Sequence, residues 1–236
     1  MKKVAILQSN YIPWKGYFDL INSVDEFILY DDMQYTKNDW RNRNKIKTAS
    51  GLQWLTIPVR QKSLDQHINE TETTNNLWLK KHWSSISQNY RKSRYYAQYA
   101  PLFESFYTTT TVTNLSEINH SLILLVNEVL DIRTKISLSS DFELIDGKTE
   151  RLVELCRQCG ASTYLSGPSA KAYLDIQQFH RAGIQVEWME YSGYPEYHQL
   201  YPPFQHQVSV LDLIFNEVED ARIYMKSFDE VGDVVV

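Results

Sequence analysis

Two short apolar runs, Val4 to Leu7 and Glu26 to Tyr30, flank an amphipathic segment from Gly16 to Ile21. Short runs of this kind suit strands buried on both faces, and the segment between them suits a short helix. Each run ends in hydrogen-bonding side chains. Gln8, Asn10 and Tyr11 follow the first, and Asp31, Asp32, Gln34 and Tyr35 follow the second, with basic Arg41, Arg43, Lys45 and Lys47 shortly after. Ligands of parallel sheets sit at the carboxyl ends of the strands, where two such loops meet. The first fifty residues therefore read as half of a binding site.

The pattern continues with a third strand from Gln53 to Val59, then turns to helical spacing. Leu79, Trp83, Ile86 and Tyr90 mark a helix over Leu77 to Tyr90, with further helices over Tyr95 to Tyr107 and Leu115 to Leu130. The last of these opens on an Asn114-Leu-Ser-Glu117 capping pattern. Alternation then resumes: strand Ile136 to Leu138, helix Lys148 to Cys159, strand Ser162 to Ser166, helix Ala170 to Arg181, strand Ile184 to Met189, and a final helix Ser209 to Val218. Strands alternating with helices predict parallel pairing with helical crossovers. The expected architecture is a single α/β domain over residues 1–236, a parallel-rich sheet with flanking helices, interrupted by a mainly helical insertion at 77–132.

Composition narrows the function classes. The 236 residues are 43% hydrophobic and 13% aromatic, which is ample for a packed core, and the net charge of −5 gives no broad footprint for duplex nucleic acid. The basic cluster at 37–47 suits a small anion better. No apolar stretch approaches the roughly 18–20 residues of a membrane span, and no signal-peptide core follows the N-terminal lysines, so a cytoplasmic location is expected. The two cysteines, Cys156 and Cys159, form a C-x-x-C inside a helix without the second pair that a structural zinc site needs. Sixteen tyrosines and six tryptophans supply rings for packing and for stacking on sugars or bases.

Several constellations could carry chemistry. Ser166-Gly-Pro-Ser169 with Lys171 lies between a predicted strand and a predicted helix, so Ser166, Gly167, Ser169 and Lys171 serve either as a cap or as a phosphate cradle. Neither a Walker loop nor a G-x-G-x-x-G fingerprint is present, which argues against an ATP- or NAD-driven reaction. Trp14-Lys15-Gly16-Tyr17 has the spacing of the H-x-G-H segment of nucleotidylyltransferases, but both histidine positions are aromatic, so the likeness extends to a nucleotidylyltransferase-like, or HUP-like, framework and argues against adenylyl transfer. Arg41 and Arg43, two apart in an extended segment, would offer parallel guanidinium forks to a diphosphate or carboxylate. His82 and Asp32 are the candidate proton acceptors, each with a structural alternative: a packed helix-edge histidine and a turn-capping aspartate.

Taken together, QSNYIPWKGYFDLI, DDMQY with DWRNRNKIK, WLTIPV, TYLSGPSAKAYLD and PEYHQ with SVLDLIFN resemble, in order and to about residue 217, the WbqC-like family of bacterial surface-polysaccharide gene clusters. Ser9 stands where many members have proline after the glutamine, and His198 replaces a common proline. The resemblance implies modification of nucleotide-linked amino sugars, with an acyl or aminoacyl group, glycyl included, passing to the sugar amine from a carrier-protein thioester on phosphopantetheine. No bound cofactor and no metal are expected. In that role Arg41, Arg43 and the Ser166 to Lys171 turn would hold phosphates, Tyr11, Trp14 and Tyr35 would line the cleft, His82 or Asp32 would take the proton, and Asn42 or Gln8 would steady the oxyanion. A non-catalytic binder of the sugar nucleotide or carrier, or a nucleotidyl- or phospho-transferase, are the alternatives. All of these readings require the amino-terminal polar tips and the Ser166 to Lys171 bend to share one cavity.

Overall fold

In the computed structural model, which describes residues 1–228, the apolar runs divide their side chains between two layers. Val4, Ile6 and Ile28 pack into one cluster with Leu155, Cys156 and Phe179, whereas Ala5, Phe27 and Leu29 pack into another with Phe18, Ile21 and the central helices. Strands clothed on both faces read as unbroken apolar runs, which is why the sequence shows them so plainly.

The elements in chain order are β1 (Lys3–Leu7), α1 (Lys15–Asn22), β2 (Glu26–Leu29), β3 (Arg43–Thr48), β4 (Gly51–Thr56), β5 (Val59–Arg60), β6 (Glu72–Thr73), α2 (Leu77–Tyr90), α3 (Tyr96–Thr109), α4 (Leu115–Val129), β7 (Lys135–Leu138), α5 (Thr149–Gln158), β8 (Thr163–Ser166), α6 (Ile176–Arg181), β9 (Gln185–Trp188) and α7 (Leu211–Glu217). Five strands form one sheet in the order β7-β2-β1-β8-β9, every pair parallel. The chain builds outward from β1 through β2 to β7, then crosses to the other side for β8 and β9. Loops after β1 and β8 therefore diverge and leave a crevice, the topological switch point of an open α/β sheet. The architecture is the expected α/β framework with a parallel sheet and flanking helices.

Three local expectations need correction. Gln53 to Val59 is not a strand of the main sheet: β4 stops at Thr56 and pairs antiparallel with β3 in a separate hairpin, and β5 pairs with β6. Only Leu55 of β4 is buried, so the segment lacks the two clothed faces that a central strand needs. Ala170 to Arg181 is not one helix. A five-residue 3-10 turn, Pro168–Ala172, comes first, and α6 begins only where the Asp175 side chain accepts from the Gln177 N–H at 3.0 Å. The last helix is also shorter than expected, passing from α7 into a 3-10 turn over Val218–Tyr224.

The Asn114 cap forms, its side chain accepting from the Glu117 N–H at 3.2 Å. Cys156 is buried within α5, and burial pushes its thiol up; Cys159 donates to the Leu155 carbonyl at 2.7 Å. Between β9 and α7 some twenty residues carry no regular element. Lys47 pins this loop: its Nζ donates to Gln199 Oε1 at 3.0 Å and to the Pro203 carbonyl. Asp212 ties it from α7, accepting from Tyr197 at 2.9 Å and from Tyr90 at 2.9 Å. Long irregular loops in compact domains are usually functional.

Candidate functional site

The crevice between β1 and β8 opens into a cavity of about 770 Å³. Its walls come from three stretches far apart in sequence. The loop after β1 supplies Asn10, Pro13 and Trp14, the turn after β8 supplies Ser169, and the pinned loop before α7 supplies Tyr191, Ser192, Gly193, Tyr194, His206 and Gln207. Trp40 and Asn44, before and within β3, complete it. The two regions that the sequence required to converge thus share a wall.

The loop after β1 is held rigidly. Asp31, at the end of β2, accepts from the Ser9 N–H at 2.7 Å and from Ser116 of α4 at 2.5 Å. Asn44 Nδ2 donates to the carbonyls of Tyr11 and Ile12 at 3.1 and 2.7 Å, fastening a stretch in which Ile12 adopts φ 36°. A β-branched residue in that region is strained, and two side-chain bonds at the same spot offset the cost. Trp14 then lies flat over Gly16, so close that any Cβ at Gly16 would collide with its ring. Tyr191 and Tyr194 flank the same indole at 5.4 and 5.5 Å between ring centres.

The electrostatics favour anions. None of the lining residues is a carboxylate. Arg41 sets its guanidinium at the carboxyl end of β1, donating to Asn10 Oδ1 at 2.6 Å and to the carbonyls of Gln8 and Ser9 at 3.3 and 3.4 Å. Behind the wall, Lys15 Nζ sits 5.0 Å from the ring centres of both Tyr194 and Tyr197 and donates to the Pro195 carbonyl at 3.0 Å. Burial brings Lys15 down to about 8, against the pull of Asp19. Partial desolvation and nearby Lys15 also lower the exposed His206, partly offset by Glu196, so its imidazole is neutral near pH 7 and able to accept a proton. The buried Tyr194 hydroxyl has no partner among the described residues.

The predicted site residues separate into those gathered here and those placed elsewhere. Trp14 and Ser169 line the cavity, Arg41 adjoins it through Asn10, and Gly167 lies beside Tyr191, which a Cβ there would meet at 3.9 Å. Lys171 lies over the Trp188 ring at 5.4 Å, and Ser166 is buried, donating to the Tyr164 hydroxyl at 3.3 Å. Because the turn is 3-10, short, and carries Pro168 in its first turn, it does not present the row of free N–H groups that a helix-borne phosphate cradle requires. The Gln8 carbonyl accepts from Tyr17 and Arg41, so its main chain, rather than its side chain, is what the fold uses.

Arg41 and Arg43 do not point the same way. Arg41 lies in a turn before β3 and faces β1, while Arg43, the first residue of β3, donates to Asn38 and stacks on Trp54 at 4.2 Å. Asn42 is buried, donating to the Ile57 carbonyl at 2.8 Å. Tyr11 and Tyr35 are core residues, 0% and 2% exposed. His82 is likewise in the core: Nδ1 meets the Tyr11 hydroxyl at 2.8 Å and Nε2 meets the Thr56 carbonyl at 3.2 Å. A carbonyl only accepts, so Nε2 carries the proton, Tyr11 donates to Nδ1, and Tyr107, 2.6 Å from Tyr11, closes the chain. Burial holds this imidazole down at about 4, despite the opposing Thr56 carbonyl, and no lone pair remains for a substrate. Asp32 accepts from Asn69 at 2.9 Å and from Ser139, tying β2 to the segment after β7.

Trp40, Tyr191, Tyr194 and His206 were missed by sequence reasoning. For the last three the available signal was the long aperiodic stretch, rich in Tyr and Pro, between the last strand and the last helix; Trp40 lies in the basic segment before β3.

Among the described residues no helix is long and apolar enough to cross a membrane, and no cluster of His, Cys, Asp and Glu could hold a metal ion. The chain is similar to the uncharacterized protein Rv1507c of Mycobacterium tuberculosis (strain ATCC 25618 / H37Rv), 50% identical over 227 residues that span 96% of this chain and 98% of that protein. No solved structure matches it. The model of the WbqC-like protein family matches residues 8–224, which takes in α1 through α7 and every wall of the cavity, and the chain belongs to that family.

Proposed function

We propose that the protein transfers an acyl or aminoacyl group from a carrier-protein thioester to the amine of a nucleotide-linked amino sugar, as part of surface-polysaccharide biosynthesis. The observation that carries this reading is the switch-point cavity: aromatic, free of carboxylates in its lining, and backed by Arg41 and Lys15. Rings take a sugar or base, and Arg41 and Lys15, set behind the walls rather than in the lining, bias the cavity toward an anion. Family membership supports the substrate class.

In the reaction, the sugar amine attacks the thioester carbonyl, forming the C–N bond and an oxyanion. The C–S bond then breaks, and the thiol leaves with the proton that the amine gave up. Holding the two substrates in line supplies much of the rate. His206, neutral and facing the cavity, is the residue proposed to accept the amine proton; neither His82 nor Asp32 is placed for it. The Asn10 amide, whose Oδ1 accepts from Arg41 and whose Nδ2 is thereby turned to donate, is the group proposed to steady the oxyanion.

The test is incubation of pure protein with dTDP- or UDP-linked amino sugars and a panel of acyl- and glycyl-loaded carrier proteins, read by mass spectrometry. A mass gain on the sugar is expected, falling about 100-fold in His206→Ala, with an acidic limb whose midpoint lies below 6.5 because the lowered imidazole must be neutral to act. No gain across the panel counts against transfer. A second reading, binding without turnover, is favoured by a lining in which His206 is the sole histidine and no carboxylate stands beside it. Ligand-dependent thermal stabilisation, unaltered in His206→Ala and without product, would select it. Release of pyrophosphate or AMP from a nucleotide would instead revive phosphoryl or nucleotidyl transfer.

A further inference from the structure

Trp40 belongs to two surfaces at once. It lines the cavity, and its ring also meets Trp54 of β4, with ring centres 5.5 Å apart and planes inclined by 36°. Both indoles stay about two-fifths exposed, at 38% and 41%, on a molecule that buries most of its large aromatics. Adjacent open rings of this kind mark an interaction surface.

The hairpin register explains the pairing. Lys45 lies opposite Trp54 across β3 and β4, so the two share one face, and Arg43 lies two residues away on that face. Lys45 Nζ sits 4.8 Å from the Trp54 ring centre and 5.8 Å from that of Trp40. The Arg43 guanidinium stacks at 4.2 Å on Trp54, and its buried Nε has no hydrogen-bond partner among the described residues. Two cations thus crowd a pair of open rings, in a protein whose net charge is −5.

The geometry points to a nucleobase-and-phosphate subsite at the cavity mouth: the base of a nucleoside diphosphate stacks on the Trp40–Trp54 pair, and Lys45 neutralises the adjoining phosphate. Planar π-faces with cations alongside suit a base next to an anion, whereas a neutral sugar would leave the charges of Lys45 and Arg43 unused. The inference rests on the cavity being the acceptor site proposed above and fixes the ligand's direction. The base lies outward on the hairpin, and the sugar lies inward toward Ser169 and His206.

Isothermal titration with UDP, dTDP and inorganic pyrophosphate tests this. Trp40→Ala is expected to weaken both nucleotides by about 5- to 100-fold while leaving pyrophosphate binding unchanged, and Trp40→Phe to restore most of the loss. Lys45→Ala should weaken nucleotides and pyrophosphate alike. Nucleotide affinity unchanged in both Trp40→Ala and Trp54→Ala would overturn the subsite and leave the cavity reading standing. Equal loss of pyrophosphate and nucleotide in Trp40→Ala would overturn it too, because the ring would then be shaping the cavity rather than stacking a base. Wild-type protein that binds no nucleotide would overturn both.

Discussion

At the scale of single residues, the molecule separates two kinds of polar group that look alike in sequence. His82 and His206 are both histidines near aromatic residues, yet one has both nitrogens committed inside the core and the other faces the cavity. Sequence spacing placed His82 on a helical stripe correctly, but a stripe does not say whether its edge meets solvent or a neighbouring tyrosine. His82 makes a thermodynamic prediction instead of a catalytic one. Its folded value of about 4 lies below the 6.5 of an exposed imidazole, so the stability it contributes is complete above pH 6.5 and is lost as pH falls toward 4, on the order of 3 kcal/mol in all. Glu26 adds a lower window. Burial would raise it, but hydrogen bonds from Lys135, Lys2 and Ser137 prevail and bring it to about 2, so its contribution fades between pH 4.5 and 2. Denaturant unfolding across pH should show both losses, and His82→Gln should flatten the upper one alone; an unchanged upper slope would contradict the buried, neutral ring. Gly16 bears on the site itself. Gly16→Ala drives a methyl into the Trp14 indole, so about 1–3 kcal/mol of stability should go, together with nucleotide affinity as Trp14 leaves the wall. Unchanged affinity in a folded variant would show that Trp14 does not line the binding surface.

At the scale of elements, the strands and helices of the sheet were legible because each obeys one period. Val4 to Leu7 and Glu26 to Tyr30 are clothed on both faces, and α4 announces itself through Asn114 and a regular apolar stripe. The hairpin of β3 and β4 was not legible as such, since its outer face mixes Arg43, Lys45 and Trp54 and so carries no period-two contrast. The break within 168–181 escaped for a similar reason: Asp175 caps α6 locally, and residues of good helix propensity on either side conceal the interruption. The loop between β9 and α7 has no period at all, and its conformation depends on distant anchors, above all Lys47. Lys47→Ala should therefore loosen the loop at a cost of about 1–3 kcal/mol. Chymotrypsin should cut after Tyr191 and Tyr197 faster than in the wild type while the far-ultraviolet dichroism stays the same. Equal cutting rates would mean that Asp212 and its tyrosines hold the loop unaided.

At the scale of the whole molecule, function is placed by topology. The reversal of strand order at β1 and β8 opens a crevice whatever the loops contain, and the loops determine what it accepts. Half of the site was readable because Asn10, Trp14 and Ser169 sit directly beyond predicted strands. The other half lies on a loop that reaches the crevice only through tertiary contacts, which no local pattern encodes. Of the other predicted residues, Tyr11, Asn42 and His82 bond to one another, to a neighbouring tyrosine or to main chain inside the core, and Tyr35 is buried there. The most direct measurement is a crystal structure of the protein with a dTDP-linked amino sugar bound. Ligand lodged between Asn10, Trp14 and Ser169 is the expected result, and ligand bound away from these residues, or none at saturating concentration, would contradict the switch-point site.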